Sequence, residues 1–208
     1  MIKAVIFDLD DTLYFEIEYV KSGFSAVAAA FNYESLFYKL WSLFEVSKKD
    51  VYQRAGMNRS DCEKSINVYR THIPDISLSD SVFEVLDTLK KRGYVLGIIT
   101  DGRPEGQHNK IKSLGLEKIV SHIIVTDELG GVEYRKPNPK AFEIMREKCG
   151  LEYSEMIYVG DNAHKDFKAP KLLGMKTCFF SSPLGLYPEN NADTDFSISE
   201  LSELLEIF

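Results

Sequence analysis

The chain has 208 residues, 44% hydrophobic and 27% charged, with a formal net charge of −7. This balance excludes a disordered, collagen-like or coiled-coil chain and leaves room for one principal core with a small insertion. An acidic surface repels DNA and RNA phosphates, so no nucleic-acid partner is expected; a bound phosphorylated metabolite requires a local cation, a lysine or oriented backbone N–H groups.

The first apolar run is AVIF (4–7), and acidic residues follow it at once in Asp8-Leu9-Asp10-Asp11-Thr12. MIKAVIF is too short for a signal-peptide apolar region, and no stretch of 18 or more apolar residues occurs anywhere. A cytoplasmic protein without a membrane partner is the expectation. Residues 15–79 carry helical patterning without a buried strand. In FNYESLFYKLWSLF (31–44), Leu36, Phe37, Leu40, Trp41 and Phe44 form one helical stripe, which reads as the core of a helix bundle rather than a ligand site. Linkers are expected near 14–18 and 74–80, the second with Pro74 and the Ser/Asp-rich stretch Ser77 to Ser81.

From residue 81 the pattern alternates. SVFEVLDTLKKRG (81–93) reads as a helix with a Ser81-x-x-Glu84 capping box and a Gly93 stop, followed by the strand VLGII (95–99) and the turn Thr100-Asp101-Gly102. HIIVT (122–126) is the third strand; Lys136-Pro137 precedes the helix PKAFEIMREKCG (139–150), which has Pro at its start and Gly at its end. MIYVG (156–160) leads into Gly160-Asp161-Asn162, and TCFF (177–180) is the last strand. Nearly continuous apolar strands separated by helices predict an α/β fold, a parallel sheet with helices on both faces. Cys62, Cys149 and Cys178 are odd in number and far apart, so they read as buried thiols in a reducing compartment, without disulfides or zinc.

Ligands of open parallel sheets bind beyond the carboxyl ends of the strands. There Asp8, Asp10 and Asp161 are expected to converge, and like charges so close require a compensating ion; hard oxygen donors favour Mg²⁺. Lys136 adds a second positive charge and Thr100 a hydroxyl donor. A carboxylate beside the ion can act as nucleophile on phosphorus, and Asp10, two residues beyond Asp8 in an extended chain, faces the same way. Asp10 could then protonate the leaving alkoxide and deprotonate water, provided its pKa lies above that of an ordinary Asp. An Asp-x-Asp alone is commonly a surface turn, Thr100-Asp101-Gly102 a turn signal and Lys136 a solvated lysine; their arrival together at four strand ends argues for a site.

FDLDDTL (7–13), IITDG (98–102), RKPNPKAF (135–142) and VGDNAHKD (159–166) resemble, in order, the four motifs of the haloacid dehalogenase superfamily of hydrolases, across essentially the whole chain. TDELG (126–130) is a weaker likeness to the segment before the third motif. The resemblance implies a Rossmann-like core (1–14 and 80–208) and a helical cap (15–79) that closes over the substrate. It implies Asp8 as nucleophile, Asp10 as general acid/base, and Mg²⁺ held by Asp8, Asp161 and the Asp10 carbonyl, with Asp166 in support. Thr100, Asp101, Gly102 and Lys136 are the implied phosphate-binding set. Asp10 argues against dehalogenases, which lack it and need no metal, and against phosphonatases, which carry a small residue there. The expected activity is hydrolysis of a small phosphate monoester, a sugar phosphate, nucleoside monophosphate or similar metabolite, by a monomer or small homo-oligomer. A sugar phosphomutase and a non-catalytic binding protein are the alternatives. Arg135 either assists phosphate binding or is solvated, and the second is favoured; His108 and His164 lie near the mouth of the site, and His164 reads as a surface side chain.

Overall fold

Ala4–Phe7 forms β1, the strand about which the sheet is built. In the computed structural model, which describes residues 1–181, 184–186 and 192–207, β1 lies between β2 (Val95–Thr100) and β4 (Met156–Gly160). β3 (His122–Val125) continues the sheet beyond β2, while β5 (Lys176–Phe180) and β6 (Phe196–Ile198) continue it beyond β4. The order is β3-β2-β1-β4-β5-β6 and every pairing is parallel.

Alternation along each strand divides the apolar residues between two cores. Val5 and Phe7, with Ile98 and Val159, pack against Leu86 and Leu89 of α5 (Asp80–Lys91) and Ile111 of α6 (Pro104–Ser113). Ala4 and Ile6, with Ile99 and Tyr158, pack against Phe142 and Met145 of α7 (Lys140–Cys149). The chain closes with α8 (Lys168–Leu173) and a last short helix, α9 (Leu204–Ile207). β2 runs so close to α7 that a Cβ on Gly97 would lie 2.9 Å from both Ile6 Cδ1 and Met145 Sδ.

Between β1 and α5, four helices gather around a core of their own: α1 (Glu16–Ala30), α2 (Ser35–Val46), α3 (Val51–Arg54) and α4 (Arg59–Thr71). Leu36 and Leu40 are buried with Phe24 and Val27, and Phe37, Trp41 and Phe44 pack beside them, so the aromatic stripe is bundle core. Asn58 caps α4 by accepting from Asp61 N at 2.9 Å.

Several boundaries depart from the sequence reading. α1 begins at Glu16, inside the stretch expected to be linker, because Asp11 accepts from the Glu16 N–H and starts the helix early. The N-cap of α5 is Ser79, which accepts from Val82 N, and not Ser81; two serines in one polar stretch offer equivalent signals. β6 was not foreseen, because only Ile198 of its three residues is buried and no apolar run marks it. Cys62 and Cys178 are buried but Cys149 is half-buried, and all three are free thiols. Among the described residues no helix is long and apolar enough to cross a membrane.

Gly97→Ala forces a methyl into the β2–α7 contact and is expected to destabilise the fold by about 1–3 kcal/mol. The urea midpoint, at unchanged slope, measures it.

Candidate active site

Beyond Phe7 the strand ends and the chain makes one tight turn, with Leu13 N donating to Leu9 O at 3.0 Å. Asp11 sits at φ 55°, a left-handed conformation that a short polar side chain tolerates. Its carboxylate accepts from Glu16 N at 2.8 Å and Leu186 N at 2.7 Å, which anchors the turn to α1 and to the segment beyond β5. Asp8 is thereby fixed at the sheet edge, its own N–H donating to Val159 O at 2.8 Å.

Lys136 reaches this edge from the loop before α7. Its side chain is 0% exposed, with Nζ 2.7 Å from Asp8 Oδ1 and 2.8 Å from Asp166 Oδ1. It also donates to Tyr158 Oη at 2.8 Å, and Tyr158 donates onward to Ile99 O at 3.3 Å. Burial works to lower the pKa of Lys136, but the Asp166 and Asp8 charges outweigh it and hold it well above the ordinary value, so the lysine stays a cation. Asp166 is placed by Asn162 N, which donates to Oδ2 at 2.9 Å, and by the bare face of Gly160: a Cβ there would lie 2.5 Å from Asp166 Oδ2. The glycine before Asp161 is therefore a steric requirement.

Asp8, Asp161 and Asp166 bring carboxylate oxygens within 4.8 Å of one another. Lys136 cannot balance all three. Burial, then the charges of Asp8 and Asp166, push Asp161 up to about 8; burial, opposed by Lys136 and aided by Asp166, raises Asp8 to about 6. Asp8 Oδ2 is buried without a hydrogen-bond partner among the described residues, and Lys165 Nζ stands off at 3.9 Å. A donor set made only of hard carboxylate oxygens, with one oxygen orphaned and charge uncompensated, fits a hard divalent cation.

The carboxylate of Asp10 is not in this cluster; the sequence reading had placed it there, and Asp166 occupies that place instead. Asp10 Oδ1 accepts from Lys110 Nζ at 2.7 Å and from the Tyr14 hydroxyl, and Oδ2 accepts from Gln107 Nε2 at 3.0 Å. Burial works to raise its pKa, but the charge and hydrogen bond of Lys110, with the bonds from Tyr14 and Gln107, hold it below the ordinary carboxylate value. That is opposite to the elevation the sequence reading required. Thr100 is fully buried and accepts from Gln107 Nε2 at 2.5 Å. Asp101 accepts from Thr126 Oγ1 at 2.9 Å and Lys136 N at 3.0 Å, so its carboxylate braces the lysine loop. Gly102 has φ 144°, and a Cβ there would lie 3.0 Å from the Gln107 side chain.

Gln107, Lys110, Lys165, Glu16 and Tyr14 all reach the site and were not singled out from sequence. Gln107 and Lys110 are three apart on α6 just beyond the Thr100 turn; a lysine on a polar helix is ordinarily solvated, and its 6% exposure follows from tertiary packing alone. Arg135 is not simply solvated: it donates through Nε and Nη2 to Asp127, each at 2.7 Å. His108 lies on α6 and meets Glu128 at 2.7 Å, and His164 is exposed.

A model of the haloacid dehalogenase-like hydrolase family matches residues 5–180. The glyceraldehyde 3-phosphate phosphatase of Methanocaldococcus jannaschii is 29% identical over 100% of this chain and 97% of its own length. The pyrophosphatase PpaX of Bacillus velezensis is 28% identical over 99% of this chain and 96% of its own. The crystal structure of the magnesium-bound hydrolase YfnB of Bacillus subtilis superposes with a TM-score of 0.73 at 21% identity, covering 99% of this chain and 98% of that one.

The raised carboxylates give stability a definite pH dependence. With its folded pKa near 8 against 3.8, Asp161 keeps a proton in the folded state that the unfolded chain has released, so metal-free stability falls as pH rises from about 4 to 8. Melting in EDTA is expected to be lower at pH 8 than at pH 5, and Asp161→Asn is expected to flatten that slope.

Proposed function

The chain belongs to the haloacid dehalogenase-like hydrolase family, and from that premise we propose that it is a Mg²⁺-dependent phosphatase hydrolysing a small phosphate monoester through an aspartyl-phosphate on Asp8. The observation that carries this reading is the state of Asp8. One oxygen is held by a buried lysine, and the other is left without a hydrogen bond among the described residues, beside two further carboxylates. The phosphatase and pyrophosphatase names of the relatives at 29% and 28% identity support a small phosphorylated substrate such as a sugar phosphate or nucleoside monophosphate.

Asp8, Asp161 and the Asp10 carbonyl would hold Mg²⁺, with Asp166 in support, and the ion supplies charge neutralisation at the phosphate oxygens. Asp8 Oδ2 forms the bond to phosphorus as the ester P–O bond breaks. Lys136 fixes the other Asp8 oxygen and remains cationic beside the phosphoryl group. The Thr100 hydroxyl accepts from Gln107 and keeps its own proton to donate to a phosphate oxygen. Asp10 protonates the departing alkoxide and afterwards takes a proton from the water that opens the aspartyl-phosphate. The leaving oxygen approaches Asp10 at the expense of the Lys110 or Tyr14 hydrogen bond, which raises the pKa of Asp10 and readies it as an acid.

The four helices of residues 15–79 serve as a cap. α1 supplies Glu16 to the cavity over Asp10, Lys136 and Asp161, about 390 Å³ in volume and within the range of small-molecule sites. The cap meets α6 where Asn109 Nδ2 donates to His72 O at 3.2 Å and Lys110 Nζ lies 4.3 Å above the Tyr19 ring. Its closure excludes water during the covalent step.

Purified protein is expected to hydrolyse p-nitrophenyl phosphate with Mg²⁺ and to stop in EDTA, and Asp8→Asn to abolish turnover and trapping by beryllium fluoride; retained activity in Asp8→Asn would remove the nucleophile. Asp10→Asn is expected to lower kcat for alkyl phosphates by about 10² to 10⁴. That effect should shrink with p-nitrophenyl phosphate, whose leaving group needs little protonation, and stopped assays on both esters compare the two.

A further inference from the structure

The walls of the catalytic cavity are unevenly charged. Five carboxylates line it, Asp10, Asp11, Glu16, Asp101 and Asp161, against three cations, Arg135, Lys136 and Lys165. All three cations are already matched. Arg135 is paired with Asp127, Lys136 lies between Asp8 and Asp166, and Lys165 is 3.9 Å from Asp8 and 3.6 Å from Asp101. A divalent ion would have both the carboxylate cluster and the phosphoryl group to offset, and no unpaired cation remains among the described lining residues for a second anionic group.

Four of the five carboxylates also have partners. Asp10 is held by Lys110, Gln107 and Tyr14, Asp11 by two backbone N–H groups, and Asp101 by Thr126 and the Lys136 N–H. Asp161 accepts from Thr12 Oγ1 at 3.4 Å and belongs to the ion cluster. Glu16 differs. Its backbone N–H donates to Asp11, yet its carboxylate makes no hydrogen bond or ion pair among the described residues, although most of the side chain is buried. It enters from the first turn of α1 and lines the same cavity as Asp10, the residue assigned to the leaving oxygen.

Building on the phosphatase reading, we propose that Glu16 selects the leaving group. Its carboxylate accepts a hydrogen bond from a hydroxyl or ammonium group near the ester oxygen and repels leaving groups that carry a carboxylate or a second phosphate. The substrate class is therefore monophosphates of polyols, hydroxyaldehydes or amino alcohols, rather than phosphorylated hydroxy acids or pyrophosphate. The carboxylate has no protein partner among the described residues to give up, so a substrate hydroxyl or ammonium replaces water there, and a site built to pair one polar group discriminates against partners that cannot supply it. Burial, foremost, and the Asp10 charge push Glu16 up to about 7 against the pull of Lys110, as expected of an acid whose partner is absent.

The test uses the full-length enzyme with Mg²⁺ at pH 8, where Glu16 is ionised, and compares kcat/KM for glycerol 3-phosphate and phosphoethanolamine with that for phosphoglycolate and pyrophosphate. The wild type is expected to favour the first pair by about tenfold or more, the effect of one uncompensated like charge at close range. Glu16→Gln is expected to narrow that ratio by about tenfold, and Glu16→Lys to reverse it. Because the ratio is taken within each protein, differences in folding or metal loading cancel. A wild-type preference for phosphoglycolate or pyrophosphate, or an unchanged ratio in folded Glu16→Gln, overturns the role of Glu16; the wild-type arm decides even where a variant does not fold. Absence of Asp8-dependent turnover for all four substrates overturns the phosphatase reading itself, which separates the two failures.

Discussion

A lysine with none of its side chain exposed stands between two buried carboxylates, and the edge of the sheet is organised around that contact. Taking an ammonium and two carboxylates out of water costs several kcal/mol per ion, and their mutual attraction offsets this only with close geometry and satisfied hydrogen bonds. Lys136 meets the condition: Asp8 and Asp166 lie at 2.7 and 2.8 Å, and Tyr158 takes a further proton at 2.8 Å. The third carboxylate, Asp161, receives no comparable cation, and burial first, then the neighbouring charges of Asp8 and Asp166, raise its pKa. The same imbalance that weakens the metal-free fold fits the edge to a divalent ion.

The second carboxylate of the first motif lives in a different environment. Asp8 and Asp10 are two residues apart, but the tight turn after Leu9 sends Asp10 toward α6, where Lys110, Gln107 and Tyr14 supply all its hydrogen bonds. Adjacent carboxylates thereby acquire opposite pKa shifts, Asp8 upward and Asp10 downward. That is the reverse of the order a nucleophile and a general acid need, so the proposed roles require a bound cation to lower Asp8 and the approaching leaving group to raise Asp10. Lys110 also packs over Tyr19, and Tyr19 donates to Tyr69 O at 3.1 Å, so the residue that holds Asp10 rests on two helices of the neighbouring bundle. Movement of the bundle relative to the sheet would therefore reach Asp10 through a chain of direct contacts.

The strands were legible because each is buried on both faces and must be continuously apolar; β6, an edge strand with a single buried residue, left no such trace. The convergence of Asp8, Lys136, Asp161 and Asp166 was legible because a parallel sheet places the residues after its strands along one edge, where polar residues following apolar runs stand out. Arg135 was misread, since nothing in RKPNPKAF indicates that Asp127 lies within reach of a bidentate contact.

The residue types and their order along the chain fixed the α/β class, the parallel sheet and the acidic strand ends, since hydrophobic periodicity and turn chemistry are local properties. Which carboxylates cluster, which are paired with lysines and which one is left facing the cavity depended on side chains far apart in the chain, as in the contact of Thr12 with Asp161 across 149 residues. Burial and pairing, which set charge state and reactivity, arise only when distant segments exclude water together. For that reason Lys110 and Glu16, a surface lysine and a helix-start glutamate by sequence, became parts of the site only in the folded chain.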